Sequence, residues 1–274
     1  MADTLKKPIF IIGSTNSGTK CLFYSLVEHP ELRGLKKELH FYGFQPNIDG
    51  RMNRLFSLFP NFNFNYLNET CEPRSFGVGP VDRGPVHKFL NSLMSSKSTA
   101  EDLLGTGQRA VFKDPKLSLR IKWLKHIYPD CYIVAIIRNP WATIEGIVRR
   151  LHIYGDIQLN LDVPTATAQW HITNTIIDME SKDIDNFYMV RYEDMISASK
   201  FPDSVESNCF WSRLLSHLDL GVEGFQIPNK HKYTNFDVSK NSDSLKNLTP
   251  WQVNYISNAC VVLNNKYGYS INQE

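Results

Sequence analysis

The chain has almost no excess of charge of one sign. Its 274 residues carry 30 Lys and Arg against 28 Asp and Glu, a net of +2. A protein that coats a nucleic acid needs a one-sided excess to displace counterions, so that class is excluded. A small anionic ligand, which needs only a few local cations, is not. Long apolar runs are also missing. The longest, Cys131 to Ile137, is far shorter than the roughly 20 residues that cross a bilayer. The run Pro8 to Ile12 behind Lys6 and Lys7 ends in Gly13 and is too short for a signal core, so no membrane partner is expected. The five cysteines, Cys21, Cys71, Cys131, Cys209 and Cys260, are scattered, which leads us to expect reduced thiols and a cytoplasmic location. In that setting the triplets beginning at Asn68 and Asn247 read as chance glycosylation matches. Eight histidines (His29, His40, His87, His126, His152, His171, His217, His231) show no ligand spacing, so no metal is expected. Redox and Ser-His-Asp hydrolase motifs are absent.

Apolar residues make up 42% of the chain, which excludes wholesale disorder. Short β-rich runs alternate with helical stretches. Strands are expected at Pro8–Gly13, Arg109–Lys113, Cys131–Ile137 and Phe187–Arg191. Helices are expected from about Gly18 to Glu28, Asp114 to Tyr128, Asn139 to Leu151, Pro164 to Lys182, Cys209 to Leu220 and Thr249 to Tyr267. Cys131–Ile137 is apolar at every position rather than at alternate ones, which marks a strand covered on both faces and hence a parallel sheet. The expectation is an α/β fold of one domain, residues 1–274, with a central parallel β-sheet flanked by helices. The stretch from about 43 to 107, rich in Asn, Phe, Ser, Pro and Gly, reads as a pocket-shaping insertion.

The run Gly13-Ser14-Thr15-Asn16-Ser17-Gly18-Thr19-Lys20 links the first strand to the first helix. Free backbone N–H groups and the helix dipole favour an anion there, and glycines let the backbone approach it closely. The run nearly matches the nucleotide-triphosphate loop G-x-x-x-x-G-K-S/T. Thr19 and Lys20, however, are in the reverse order, and one helical position turns a side chain by about 100°. Lys20 then points away from a β/γ-phosphate, and no hydroxyl follows for Mg²⁺. The alternative reading of the loop is a βα turn with no ligand.

Taken with four further segments, this loop resembles the sulfotransferases that use 3′-phosphoadenosine 5′-phosphosulfate (PAPS). Ser17-Gly18-Thr19 match the family's first motif. Ile136-Ile137-Arg138-Asn139-Pro140 match the strand that ends in Arg-x-Pro. Arg191-Tyr192-Glu193-Asp194 follow a strand as in the family. Lys113-Asp114-Pro115-Lys116-Leu117 are similar to a run in bacterial members. Lys37-Glu38-Leu39-His40-Phe41-Tyr42 look like a segment of Golgi carbohydrate sulfotransferases. The ending, Leu248-Thr249-Pro250 and Lys266-Tyr267-Gly268-Tyr269, also resembles the family's last helix. Two positions depart: Asn16 stands where the family has a basic residue, and Gly146 where a Ser is usual, eight residues after Arg138.

The resemblance implies a P-loop-like sulfotransferase fold and transfer of a sulfuryl group from PAPS, leaving adenosine 3′,5′-bisphosphate (PAP), with no metal. The donor's 5′-phosphate then falls to Ser14, Thr15, Asn16, Ser17, Gly18, Thr19, Lys20 and Cys21. Arg138 is expected on the 3′-phosphate, beside Gly146, and Tyr192 on adenine. Lys113 and Lys20 are the cations expected near the transferred group. Glu38 is expected as the base that takes the acceptor's proton, with His40 as runner-up. The structural alternatives are a solvated lysine at 113, a salt bridge at Arg138, a core tyrosine at 192 and an exposed loop acid at 38. The acceptor implied is a small molecule bearing a hydroxyl or amine, a natural product for which a guanidinium alkaloid toxin is one candidate. A P-loop kinase and a non-catalytic nucleotide-binding relative are the competing readings.

Overall fold

Ile9–Gly13 form strand β1, buried at every position. Its side chains alternate: Ile9 and Ile11 enter one apolar cluster, while Phe10 and Ile12 enter another on the opposite face. This is the physical meaning of the unbroken apolar run. The computed structural model describes residues 7–34, 108–119, 121–154, 163–200, 204–226 and 239–271. Helix α1 (Thr19–Leu26) leads to a short strand β2 (Leu32–Gly34), which the sequence did not signal. Strand β3 (Arg109–Lys113), strand β4 (Tyr132–Ile137) and strand β5 (Phe187–Arg191) complete a sheet of order β2-β3-β1-β4-β5. Every neighbouring pair is parallel, which agrees with the expected α/β class.

Several helix boundaries differ from expectation. The stretch after Lys113 is not one helix: Pro115–Leu119 form a 3-10 turn, and helix α2 covers only Ile121–Ile127. Helix α3 (Pro140–Tyr154) and helix α4 (Val163–Glu180) lie close to where they were expected. Asn139 opens α3, its Oδ1 accepting from the Ala142 N–H at 3.1 Å. Helix α5 (Tyr192–Lys200) starts directly at the end of β5, and helix α6 spans Val205–His217. Helix α7 (Ser239–Lys246) was not anticipated. The final helix is two, α8 (Pro250–Ala259) and α9 (Val261–Tyr267), broken at the buried Cys260.

One face of the sheet packs on α1, α5 and α6 through Leu22, Phe23, Leu26, Ile196, Trp211 and Leu214. The other packs on the 3-10 turn, α2 and α4 through Leu117, Ile121, Leu124 and Ile177. A third cluster joins α3, α4, α8 and α9 around the fully buried Trp170. The chain leaves β1 toward β2 and β3 on one side and leaves β4 toward β5 on the other. A crevice therefore opens between the carboxyl ends of β1 and β4, where ligands of open parallel sheets bind.

Candidate functional site

The loop after β1 is shaped by three special backbone positions. Gly13, Asn16 and Gly18 have φ of 153°, 62° and 100°. A Cβ on Gly18 would sit 2.4 Å from the Tyr192 ring, so only glycine fits there. Ser118, from the 3-10 turn, holds the loop's first residue from both sides. Its hydroxyl accepts from the Gly13 N–H at 2.8 Å and donates to the Gly13 carbonyl at 3.0 Å. The Ser17 N–H donates to the Ser14 carbonyl at 3.1 Å, and Gln169 Nε2 donates to Thr15 Oγ1 at 3.2 Å. Gly18 caps α1 with no side-chain bond to its first turn. The hydroxyls of Ser14 and Ser17 are buried and have no partner among the described residues. A buried polar atom without a partner is costly.

At the end of β4, Arg138 lies with its guanidinium 4.4 Å from the centre of the Tyr192 ring. Its Nε and Nη2 donate to Asn241 Oδ1 at 3.0 and 2.8 Å, and its Nη1 donates to the Asn16 carbonyl at 3.3 Å. Among the described residues it pairs with no carboxylate. Glu193 stands one step behind: Oε1 accepts from Asn241 Nδ2 at 3.0 Å and from the Asn139 N–H at 2.9 Å, and Oε2 from the Tyr269 hydroxyl at 3.1 Å. Burial first, and then the Glu193 charge, hold the Tyr269 phenol well above its ordinary pKa, so it remains a donor.

The structure brings together Ser14, Thr15, Asn16, Ser17, Gly18, Arg138, Gly146 and Tyr192. The two positions that depart from the expected motifs touch each other: a Cβ on Gly146 would lie 3.4 Å from Asn16 Nδ2, an ordinary contact. Asn16 thus leans toward the gap where Gly146 has no side chain. Tyr192 is a core tyrosine, and its ring backs both Gly18 and Arg138. Lys113 is not solvated: it is 8% exposed at the end of β3, in register with Ile11 of β1. Lys20 is exposed, its ammonium 5.9 Å from the ring centre of Tyr24 one turn along α1. Thr19 is buried at the start of α1, and the Cys21 side chain belongs to the core beneath it. Glu38 and His40, with the whole stretch from 43 to 107, lie outside the described residues. Asn241, Ser118 and Gln169 were missed. Asn241 sits in the polar run Ser239–Lys246, which carries no motif.

Among the described residues no group of three His, Cys, Asp or Glu could hold a metal, and no helix is long and apolar enough to cross a membrane. Among the described residues, Cys21, Cys131, Cys209 and Cys260 form no disulfide.

Known proteins extend this picture. The sulfotransferase domain of the curacin biosynthetic pathway superposes with a TM-score of 0.56 at 16% identity, covering 98% of this chain and 99% of that one. The sulfotransferase domain of the Synechococcus PCC 7002 olefin synthase gives 0.52 at 17% identity, covering 97% of each chain. A sulfotransferase of Mycobacterium avium gives 0.54 at 13% identity, covering 98% of this chain and 79% of that one. At such identities the likeness is one of fold. Among curated proteins no sequence matches. The profile of the sulfotransferase family matches residues 8–200, from the start of β1 to the end of α5, and the chain therefore belongs to the sulfotransferase family.

Proposed function

We propose that the chain transfers a sulfuryl group from PAPS to a hydroxyl or amine of a small molecule. The observation that carries the reading is the pair of buried, unpartnered hydroxyls of Ser14 and Ser17, in a glycine-bordered loop beside Arg138. These residues fit a nucleotide carrying phosphates at both ends. Ser14, Ser17 and the first-turn N–H groups of α1 would hold its 5′-phosphate. Arg138 would hold the 3′-phosphate with the N–H groups it has left. Tyr192, whose ring lies against both Gly18 and Arg138, is the residue of this reading for adenine. When bound, PAPS supplies an activated sulfuryl group on a good leaving group.

The protein's own part is to position, neutralise and deprotonate. Lys113, nearly buried at the end of β3, places a cation where charge grows on the leaving oxygen. Lys20, near the loop but on the outer side of α1, is the second cation of this reading. Glu38 takes the acceptor's proton, with His40 as the alternative base; both roles rest on the resemblance of their segment. The stretch from 43 to 107 shapes the acceptor pocket. One of the fold's neighbours is named for a biosynthetic pathway and another for an olefin synthase, which supports a natural product as acceptor and the bacterial subtype.

Thermal unfolding with adenosine 3′,5′-bisphosphate, and in parallel with ATP and Mg²⁺, tests the donor. A ligand at about 100 times its Kd adds roughly 2.7 kcal/mol, which for this size raises Tm by about 5–10 °C. The rise is expected with the bisphosphate alone; a rise only with ATP and Mg²⁺ turns the assignment to a kinase. Glu38→Gln should abolish turnover and leave bisphosphate binding intact. Near-normal kcat in that variant removes Glu38 as the base.

A further inference from the structure

Arg138 carries five N–H donors. Two of them meet one oxygen, Asn241 Oδ1, at 3.0 and 2.8 Å, and a third meets the Asn16 carbonyl at 3.3 Å. One N–H on each terminal nitrogen remains. The amide of Asn241 can face only one way, because its oxygen must meet the guanidinium and its nitrogen the Glu193 carboxylate, 3.0 Å off. Asn241 is 4% exposed although it sits on a helix of almost wholly polar sequence. The order of groups is informative. A purely structural site would set the carboxylate directly against the arginine and cancel its charge. Here a neutral amide comes first and the carboxylate second, so the guanidinium is aimed without being neutralised.

We propose that Asn241 is a positioning residue for Arg138: it fixes the guanidinium so that its two remaining N–H groups face the 3′-phosphate of the nucleotide with full positive charge. Glu193 and Tyr269 in turn fix Asn241. This rests on the reading of Arg138 as the 3′-phosphate contact. It makes helix α7, outside the matched family region of residues 8–200, part of the nucleotide site.

The test is calorimetric binding of adenosine 3′,5′-bisphosphate and of adenosine 5′-monophosphate, which lacks the 3′-phosphate. The wild-type protein is expected to prefer the bisphosphate; no preference there overturns the donor reading itself, before any variant is made. Asn241→Ala is expected to weaken the bisphosphate by about tenfold or more, the range for hydrogen bonds to charged groups, and to leave the monophosphate unchanged. In an Arg138→Ala background the same substitution should add little. Asn241→Leu is the second variant, because it keeps the side chain's volume at this buried position without setting a second carboxylate against Glu193. It removes the acceptor that aims Arg138 and should erase the preference in a variant that still unfolds cooperatively. If either folded variant keeps the wild-type preference, or loses both nucleotides equally, Asn241 is a structural residue and the proposal fails.

Discussion

The carboxyl ends of β1 and β4 lie side by side in the sheet, yet the chain finishes them differently. Beyond β1, the loop leaves polar atoms open: the Ser14 and Ser17 hydroxyls are buried with no partner among the described residues. Beyond β4, nearly everything is engaged. Arg138 is held by Asn241, Asn241 by Glu193, and Glu193 by Tyr269 and the Asn139 N–H. The first end is the cradle that the proposed reading gives to the donor's 5′-phosphate. The second is an arm whose aim is set in advance, so less ordering cost falls on binding. The proposed site uses both: the cradle for the 5′-phosphate, and the held arginine for the 3′-phosphate that distinguishes the nucleotide.

The largest effect should come from filling the cradle. Gly18→Ala puts a methyl 2.4 Å from the Tyr192 ring at a φ of 100°, where side chains are strained. We expect a loss of about 2–4 kcal/mol, read by urea unfolding, together with loss of nucleotide binding. Tyr192 also backs Arg138, so this change should disturb both ends at once; if only the loop suffers, the two are less coupled than their shared tyrosine implies. Next comes the arm. Arg138→Lys keeps the charge but cannot make the forked contacts. A roughly 10- to 100-fold weaker bisphosphate, with the monophosphate unaffected, is expected from calorimetry.

A third, smaller effect separates the two ends by pH. The raised Tyr269 phenol contributes stability that is fully present below its unfolded value of about 10 and is lost as pH rises through the higher folded value. Tm should therefore fall above about pH 10, and Tyr269→Phe should shrink that fall. Some of it should remain, because burial also raises the phenols of Tyr128 and Tyr267. An unchanged alkaline profile in the variant would falsify the role given to the Tyr269–Glu193 bond. The smallest effect belongs to the contact between the two departures. Gly146→Ser has ordinary room beside Asn16 and removes a helix-interior glycine, so a gain of about 0.5 kcal/mol is expected. Its hydroxyl should tighten the bisphosphate by a few-fold; weakened binding would show that Asn16 needs the gap.

The two ends also differ in how legible they were. The loop was readable because its requirements are local: a strand, two glycines and small hydroxyl residues within eight positions. Arg138 was readable for the same reason, as the strand-ending Arg-x-Pro. Its partner was not. Asn241 lies 103 positions away on a helix without apolar periodicity, and no rule of spacing links the two. Ser118 was hidden for a different reason. The stretch after Lys113 reads as one long helix, but its first part winds into a 3-10 turn that delivers the Ser118 hydroxyl to Gly13. Strand β2 is three residues long and borders the sheet, too short to show a pattern. The break at Cys260 was hidden because no helix-stopping residue marks it.

By itself the sequence determined the four longer strands of the parallel sheet, the burial of Cys131–Ile137 on both faces, the glycine-bordered turn after β1 and the arginine after β4. These depend on neighbouring residues, where period, propensity and backbone sterics act within a few positions. Only the tertiary structure decided that Asn16 lies beside Gly146, that Tyr192 backs both Gly18 and Arg138, and that Asn241 stands between Arg138 and the Glu193 carboxylate. Those contacts join residues up to about a hundred positions apart, and they exist because the sheet order sets the ends of β1 and β4 side by side and packing carries α7 to their rim.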